Sequence, residues 1–149
     1  MMIKALARKG RNGSLAGADL SFLDLSGLDL SGLDLSEAML SASRLRGANL
    51  AGCNLASVFV QDADLTAANL SHAVLAGAFF QRVGFADAEF AAADLAGVSL
   101  LLCNLTRARF EAVIATGAIY YGKAPWTVAD GGEGGRTGRR GSPPSTGRP

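Results

Sequence analysis

Side chains that could carry chemistry are few and scattered. The chain has one histidine, His72, and two cysteines, Cys53 and Cys103. A serine or cysteine nucleophile needs a base held within hydrogen-bond reach, and no such pair stands out in the sequence. Two cysteines without a nearby histidine do not make a metal site. No Gly-rich loop leads into a helix, so the phosphate-cradling motifs are missing too. Carboxylates are plentiful, but acid–base work needs a pair held in a cleft that drives their pKa values apart. The residues therefore point away from an enzyme. No residue is assigned a catalytic, cofactor-binding or metal-binding role, and no cofactor is expected.

A strict period positions these residues. From Leu15 to Tyr120 every residue whose number is a multiple of five is apolar, 22 positions in all, of which fifteen are Leu. Two residues before each sits a second, usually small residue, mostly Ala. Between the two there is often Asp or Asn, as in Ala48-Asn49-Leu50, Ala63-Asp64-Leu65 and Ala93-Asp94-Leu95. Call the apolar residue i. On an extended chain i−2 and i share a face. Five is odd, so a straight strand would turn its Leu outward at every second repeat. A helix advances roughly 500° in five residues, and its Leu would drift around the cylinder. The Leu stay together only if the chain turns a corner in every repeat, which predicts a solenoid with i and i−2 inside and i−1, i+1 and i+2 outside. His72 then falls on an exposed corner. The outward Asp and Asn serve to keep the surface wet.

The runs Ala-Asp/Asn-Leu-Ser/Ala/Thr-x resemble the pentapeptide-repeat proteins, over about three quarters of the chain. The resemblance implies an all-β fold, a right-handed quadrilateral β-helix with four repeats and twenty residues per coil. The period alone would also allow a triangle. Twenty-two repeats then make about five and a half coils, a rod about 25 Å long at the spacing of neighbouring strands. Leu23, Leu28 and Leu33, which break the small-residue rule at i−2, all fall in the first full coil. Phe80, Phe85 and Phe90 share a later one. Cys53 and Cys103 both point inward on opposite sides, about 12 Å apart along the axis. That is too far for a disulfide, so both read as reduced core residues.

Sorting the outward residues by side, at every twentieth position, isolates an apolar stripe. One side carries Asp19, Met39, Phe59, Phe79, Ser99 and Ile119 at i−1, with Phe22, Leu101, Leu102 and Tyr121 at its corners. The other three sides are mainly polar. An exposed apolar strip of this kind usually meets a partner. Phe22, Met39, Phe59, Phe79, Leu101, Leu102, Ile119 and Tyr121 are therefore the candidate interface. The candidate occupants are another protein, a second copy in a homodimer, or a terminal segment of the chain itself; the remaining reading is a tolerated exposed ladder with no occupant. Some pentapeptide-repeat proteins mimic DNA and bind DNA gyrase and related topoisomerases, protecting them from quinolones, and the resemblance makes this the alternative function. It asks for closely spaced negative charge along the rod. Here Arg44 interrupts Asp24 and Asp64, Asn49 and Asn69 separate Asp29 from Glu89, and Arg109 closes one column.

Charge is segregated along the chain. Residues 13–122 hold eleven acids and five Arg, whereas the flanks hold nine Lys or Arg and two acids. Residues 1–12 contain Lys4, Arg8, Lys9 and Arg11 but no apolar run of signal-peptide length. They read as a short cap over the open edge of the first coil, or as a contact for an anionic partner. Together with the lack of a membrane-length apolar run, this predicts a cytoplasmic protein. Residues 123–129, with Pro125 and Trp126, read as the closing segment. Residues 130–149 read as a disordered, solvated Gly/Arg/Pro-rich tail. Its arginines are poorly suited to more than nonspecific contact with nucleic acid or a membrane surface.

Overall fold

A computed structural model describes residues 14–120. The expected N-terminal cap (1–12), closing segment (123–129) and tail (130–149) lie outside the described residues, as do Gly13, Tyr121 and Gly122.

The chain winds as a right-handed quadrilateral β-helix. Its pitch is read directly from the pairing, in which every bridge is parallel and joins residues twenty apart, from Asp19–Met39 to Asp94–Ile114. The repeat around Leu70 shows how one turn of the rod bonds to the next. The Asn69 N–H donates back to the Ala48 carbonyl (3.0 Å), the Leu70 N–H forward to the Glu89 carbonyl (2.7 Å) and the His72 N–H to the Ala91 carbonyl (2.9 Å). A fourth bond, from the Ala73 N–H to the Leu70 carbonyl (3.1 Å), closes the corner. This is the i to i+3 bond of a β-turn whose third residue has positive φ, as in a type II turn.

Three sides are paired by single bridges. The fourth has true strands: β1 (Phe59–Gln61), β2 (Phe79–Gln81), β3 (Ser99–Leu101) and β4 (Ile119–Tyr120), in one parallel sheet of order β1-β2-β3-β4. This is the side that carries the apolar stripe.

The core is a stack of inward residues at i and i−2. Leu45, Leu50, Leu70, Leu75 and Leu95 are fully buried, with Ala38, Ala68, Ala88 and Ala93 beside them. Small residues at i−2 leave room for the Leu of the same coil. Burying each large side chain contributes roughly 1.5–3 kcal/mol before conformational entropy. Phe80, Phe85 and Phe90 meet edge to face around one coil, with centroids 5.1 and 5.2 Å apart, and Phe110 stacks on Phe90 at 4.6 Å. In the first coil Leu33 is buried while Leu23 and Leu28 are partly exposed. Ser43 is the polar exception at i−2. It is buried, and its hydroxyl donates to the Leu40 carbonyl (2.6 Å), which satisfies it inside the core.

Candidate interaction surface

The stripe is built by register. β1, β2, β3 and β4 pair Phe59 with Phe79, Phe79 with Ser99 and Ser99 with Ile119, and bridges extend the column through Met39 to Asp19. Because i−1 points out, these side chains stand on one flat side at the strand spacing. The Phe59 and Phe79 rings stack with centroids 5.2 Å apart and planes 5° from parallel. Phe59 and Met39 stay 42% and 41% exposed. Phe79 and Ile119 are partly exposed.

The corner residues are more dispersed than the candidate set implies. Leu101 and Leu102 adjoin the Ser99–Ile119 end, and Leu102 is exposed. Phe22, the most exposed large apolar side chain among the described residues at 81%, lies at the opposite end. Ala42, Asp62 and Arg82 stand between them in the same column. The structure thus brings together Met39, Phe59, Phe79 and Ile119, with Leu101 and Leu102 beside them, and leaves Phe22 apart.

Two further apolar residues belong to this region. Val74 and Ile114 are exposed on the adjoining side, around Asp94. The corner joining that side to the stripe carries only small side chains here, being formed by Ala56-Ser57, Ala76-Gly77, Ala96-Gly97 and, beside Ile114, Thr116-Gly117. A Cβ added to Gly97 would lie 3.7 Å from the Gly77 nitrogen, so successive corners pack backbone on backbone. The same twenty-residue sorting contains this signal, but it shows only when two adjacent sides are read as one surface.

The other flank is polar and ordered. The Gln61 amide donates to the Gln81 amide oxygen (2.7 Å). Arg82 clasps Asp62 through Nε and a terminal nitrogen (2.7 and 3.0 Å). Arg107 clasps Asp87 in the same way (2.7 and 3.0 Å), and single, looser contacts join Arg46 with Asp64 (3.2 Å), Arg109 with Glu89 (3.3 Å) and Arg44 with Asp24 (3.9 Å). All five arginines among the described residues face a carboxylate of a neighbouring coil. Hydrogen bonding from Arg82 and Arg107 holds the carboxyls of Asp62 and Asp87 below the ordinary range. Burial raises the pKa of Asp64, but bonds from Thr66 and Arg46 outweigh it and the net direction is down.

Of the remaining reactive groups, His72 and Cys53 are kept apart from this surface, whereas Cys103 lies at its end, with Sγ 3.6 Å from the Leu101 carbonyl oxygen. His72 sits exposed on a corner with φ 61°. Both thiols are free, and burial pushes each up to about 11. Cys53 is buried, and its thiol donates to the Leu30 carbonyl (2.9 Å). Cys103 departs from the expected full burial, being partly exposed in the last described coil, with no described residue stacked beyond it. Among the described residues no group of three His, Cys, Asp or Glu could hold a metal ion, and no helix is long and apolar enough to cross a membrane.

The family model for pentapeptide repeats matches residues 13–50, 43–82, 63–100 and 85–119. Among solved structures, a pentapeptide repeat protein of the Arabidopsis thaliana thylakoid lumen is 34% identical, with 68% of each chain covered and a TM-score of 0.54. The pentapeptide repeat protein Rfr23 of the cyanobacterium Cyanothece 51142 is 21% identical over 76% of this chain and 94% of its own, with a TM-score of 0.45. QnrB1, a plasmid-mediated fluoroquinolone resistance protein, is 17% identical over 72% of this chain and 64% of its own, with a TM-score of 0.41. No curated protein matches the sequence.

Proposed function

The chain belongs to the pentapeptide repeat family, and on that premise we propose that it is a non-enzymatic interaction protein, a rigid rod that offers its stranded side to a protein partner. One observation carries this reading. Phe59 and Phe79 stack at the centre of a registered apolar column, and that column continues around a corner of small residues to Val74 and Ile114. Exposed aromatic and aliphatic residues gathered on one flat face are what a partner buries. The polar sides carry paired charges and no comparable concentration of apolar side chains. A cytoplasmic location is part of this reading, since two thiols on opposite sides of the rod need no oxidising compartment.

A photo-crosslinking amino acid placed at Phe79, with a control at Asn69 on a polar side, tests it. Protein adducts are expected from Phe79 and not from Asn69. Adducts from neither position, or equally from both, would overturn the assignment.

The alternative, a DNA mimic that binds DNA gyrase, is the weaker reading. It needs uncompensated charge, yet five of the carboxylates on the rod face arginines. Inhibition of supercoiling by purified gyrase, or its protection from quinolones, at micromolar protein would reverse this order.

A further inference from the structure

The stranded side is self-complementary in one register. We infer that it pairs with the same side of a second copy of this chain, the two rods running antiparallel about a two-fold axis midway between Phe59 and Phe79. This rests on the interaction reading above and names its partner.

The charges select the register. A two-fold axis lying in the interface and crossing the rods at right angles keeps each column opposite its own copy and reverses the order of the coils. With the axis between Phe59 and Phe79, Phe59 meets the partner's Phe79 and Gln61 meets the partner's Gln81. Asp62 meets the partner's Arg82, and Arg82 meets the partner's Asp62. The intrachain clasp of Asp62 and Arg82 (2.7 Å) then becomes one half of an alternating square of four charges. Shifting the axis onto Phe59 sets Asp62 against its own copy, and shifting it onto Phe79 does the same to Arg82. Like charges placed directly opposite suppress such arrangements. Parallel rods lose the complementarity as well, because Asp62 would face the partner's Ser57 and Arg82 the partner's Gly77. They would also bring together the acid-rich first coils, with Asp19, Asp24, Asp29 and Asp34, which the antiparallel arrangement holds at opposite ends. Elsewhere in the chosen register Met39 meets the partner's Ser99, and Leu102 meets the partner's Ala42. The mismatch, Asp19 against the partner's Ile119, falls at the rim, where water reaches it.

Area sets the strength. Five coil spacings of about 4.8 Å by a side roughly 12 Å wide give on the order of 300 Å² of flat contact per copy, against about 800 Å² for an interface of standard size. The pairing is therefore weak and depends on concentration.

Sedimentation equilibrium of the full chain, from micromolar to millimolar, tests the inference. The wild type is expected to pass from monomer to dimer. Arg82→Asp and Asp62→Arg should each weaken self-association at least tenfold, and a 1:1 mixture of the two should dimerise again, because each then faces its opposite charge. Circular dichroism checks that both fold. Should either fail, a mixture of Met39→Cys and Ser99→Cys supplies a second test, since oxidation joins the two across the interface in this register. A wild type that stays monomeric, or a charge mixture that does not associate, would overturn the inference. A monomeric wild type that still crosslinks to other proteins from Phe79 would sink self-pairing alone. A dimer that survives Phe59→Asp/Phe79→Asp would sink the reading of the stripe as well.

Discussion

The Asp or Asn at i−1 holds the turn together. At Asp19, Asp24, Asp29, Asp34, Asn49, Asn54, Asp64, Asn69, Asp94 and Asn104, the side-chain oxygen accepts the backbone N–H two residues on, at 3.0–3.1 Å. This is the Asx-turn device, and it satisfies an N–H that the ladder leaves over. A reading of these residues as surface wetting sees their polarity and misses the bond, because polarity fixes exposure and not the partner. Ser36 adds its hydroxyl to Asp34 (2.7 Å), and bonds of this kind from Ser26 and Ser36 hold the carboxyls of Asp24 and Asp34 below the ordinary value of 3.8. A lowered folded pKa gives stability that is fully present above the unfolded value and is lost as pH falls through the folded one. The melting temperature should therefore be flat from neutral pH down to about 4 and decline below it. Asn49 and Asn54 make the same bond without charge, so Asp34→Asn should keep the neutral-pH melting temperature and soften the acid decline. Thermal melts of both proteins across this range check it. A wild-type melting temperature that does not move in acid would count against the assignment.

The five-residue turn is the element of this fold, and its corner shows local preference yielding to the ladder. The residue at i+2 has positive φ in every described turn, thirteen times without being glycine, at Phe22, His72 and Arg82 among others. A side chain in that conformation costs roughly 1–2 kcal/mol. The cost is offset because the same residue's N–H bonds to the next coil, as the Ala92 N–H does to the Glu111 carbonyl (2.9 Å). The inward pattern was legible in the sequence because apolar residues mark it at i. The left-handed corner was legible only in part: glycine holds eight of these positions, but residue types as different as Asp62, Ala67 and His72 hold others, where only the ladder dictates φ. Neighbouring alanines make the test. Ala92 has φ 60° while Ala91 does not share this conformation. Ala92→Gly relieves strain greater than the roughly 0.5–1 kcal/mol that glycine costs in chain entropy, so it should raise the melting temperature slightly. Ala91→Gly only adds that entropy and should lower it. Equal shifts for the two variants would show that the corner is unstrained.

The whole rod is a one-dimensional stack, and its stability follows from that. The period of five was readable from the Leu positions, but the number of sides was not, because five-residue steps close into a triangle or a square equally well. The square came from resemblance to a family, and the twenty-residue offset of every bridge bears it out. Each coil touches only the coils before and after it, so stability is a sum over neighbours and needs about three or more units to hold. Leu70 is fully buried in the middle of the column, in line with Leu50 and Phe90. Leu70→Asp would bury a carboxylate with no cation inside the rod, at a cost of several kcal/mol against a total stability of about 5–15 kcal/mol. That cost falls on both interfaces of the central coil at once. The stacks left on either side are too short to fold alone, so neither half can preserve a transition of its own. The variant should show no cooperative melt by circular dichroism. Leu102→Asp, which places the same charge on a side chain 63% exposed, should melt as the wild type does. A normal melting curve for Leu70→Asp would mean that the coils are coupled far more loosely than a continuous core requires.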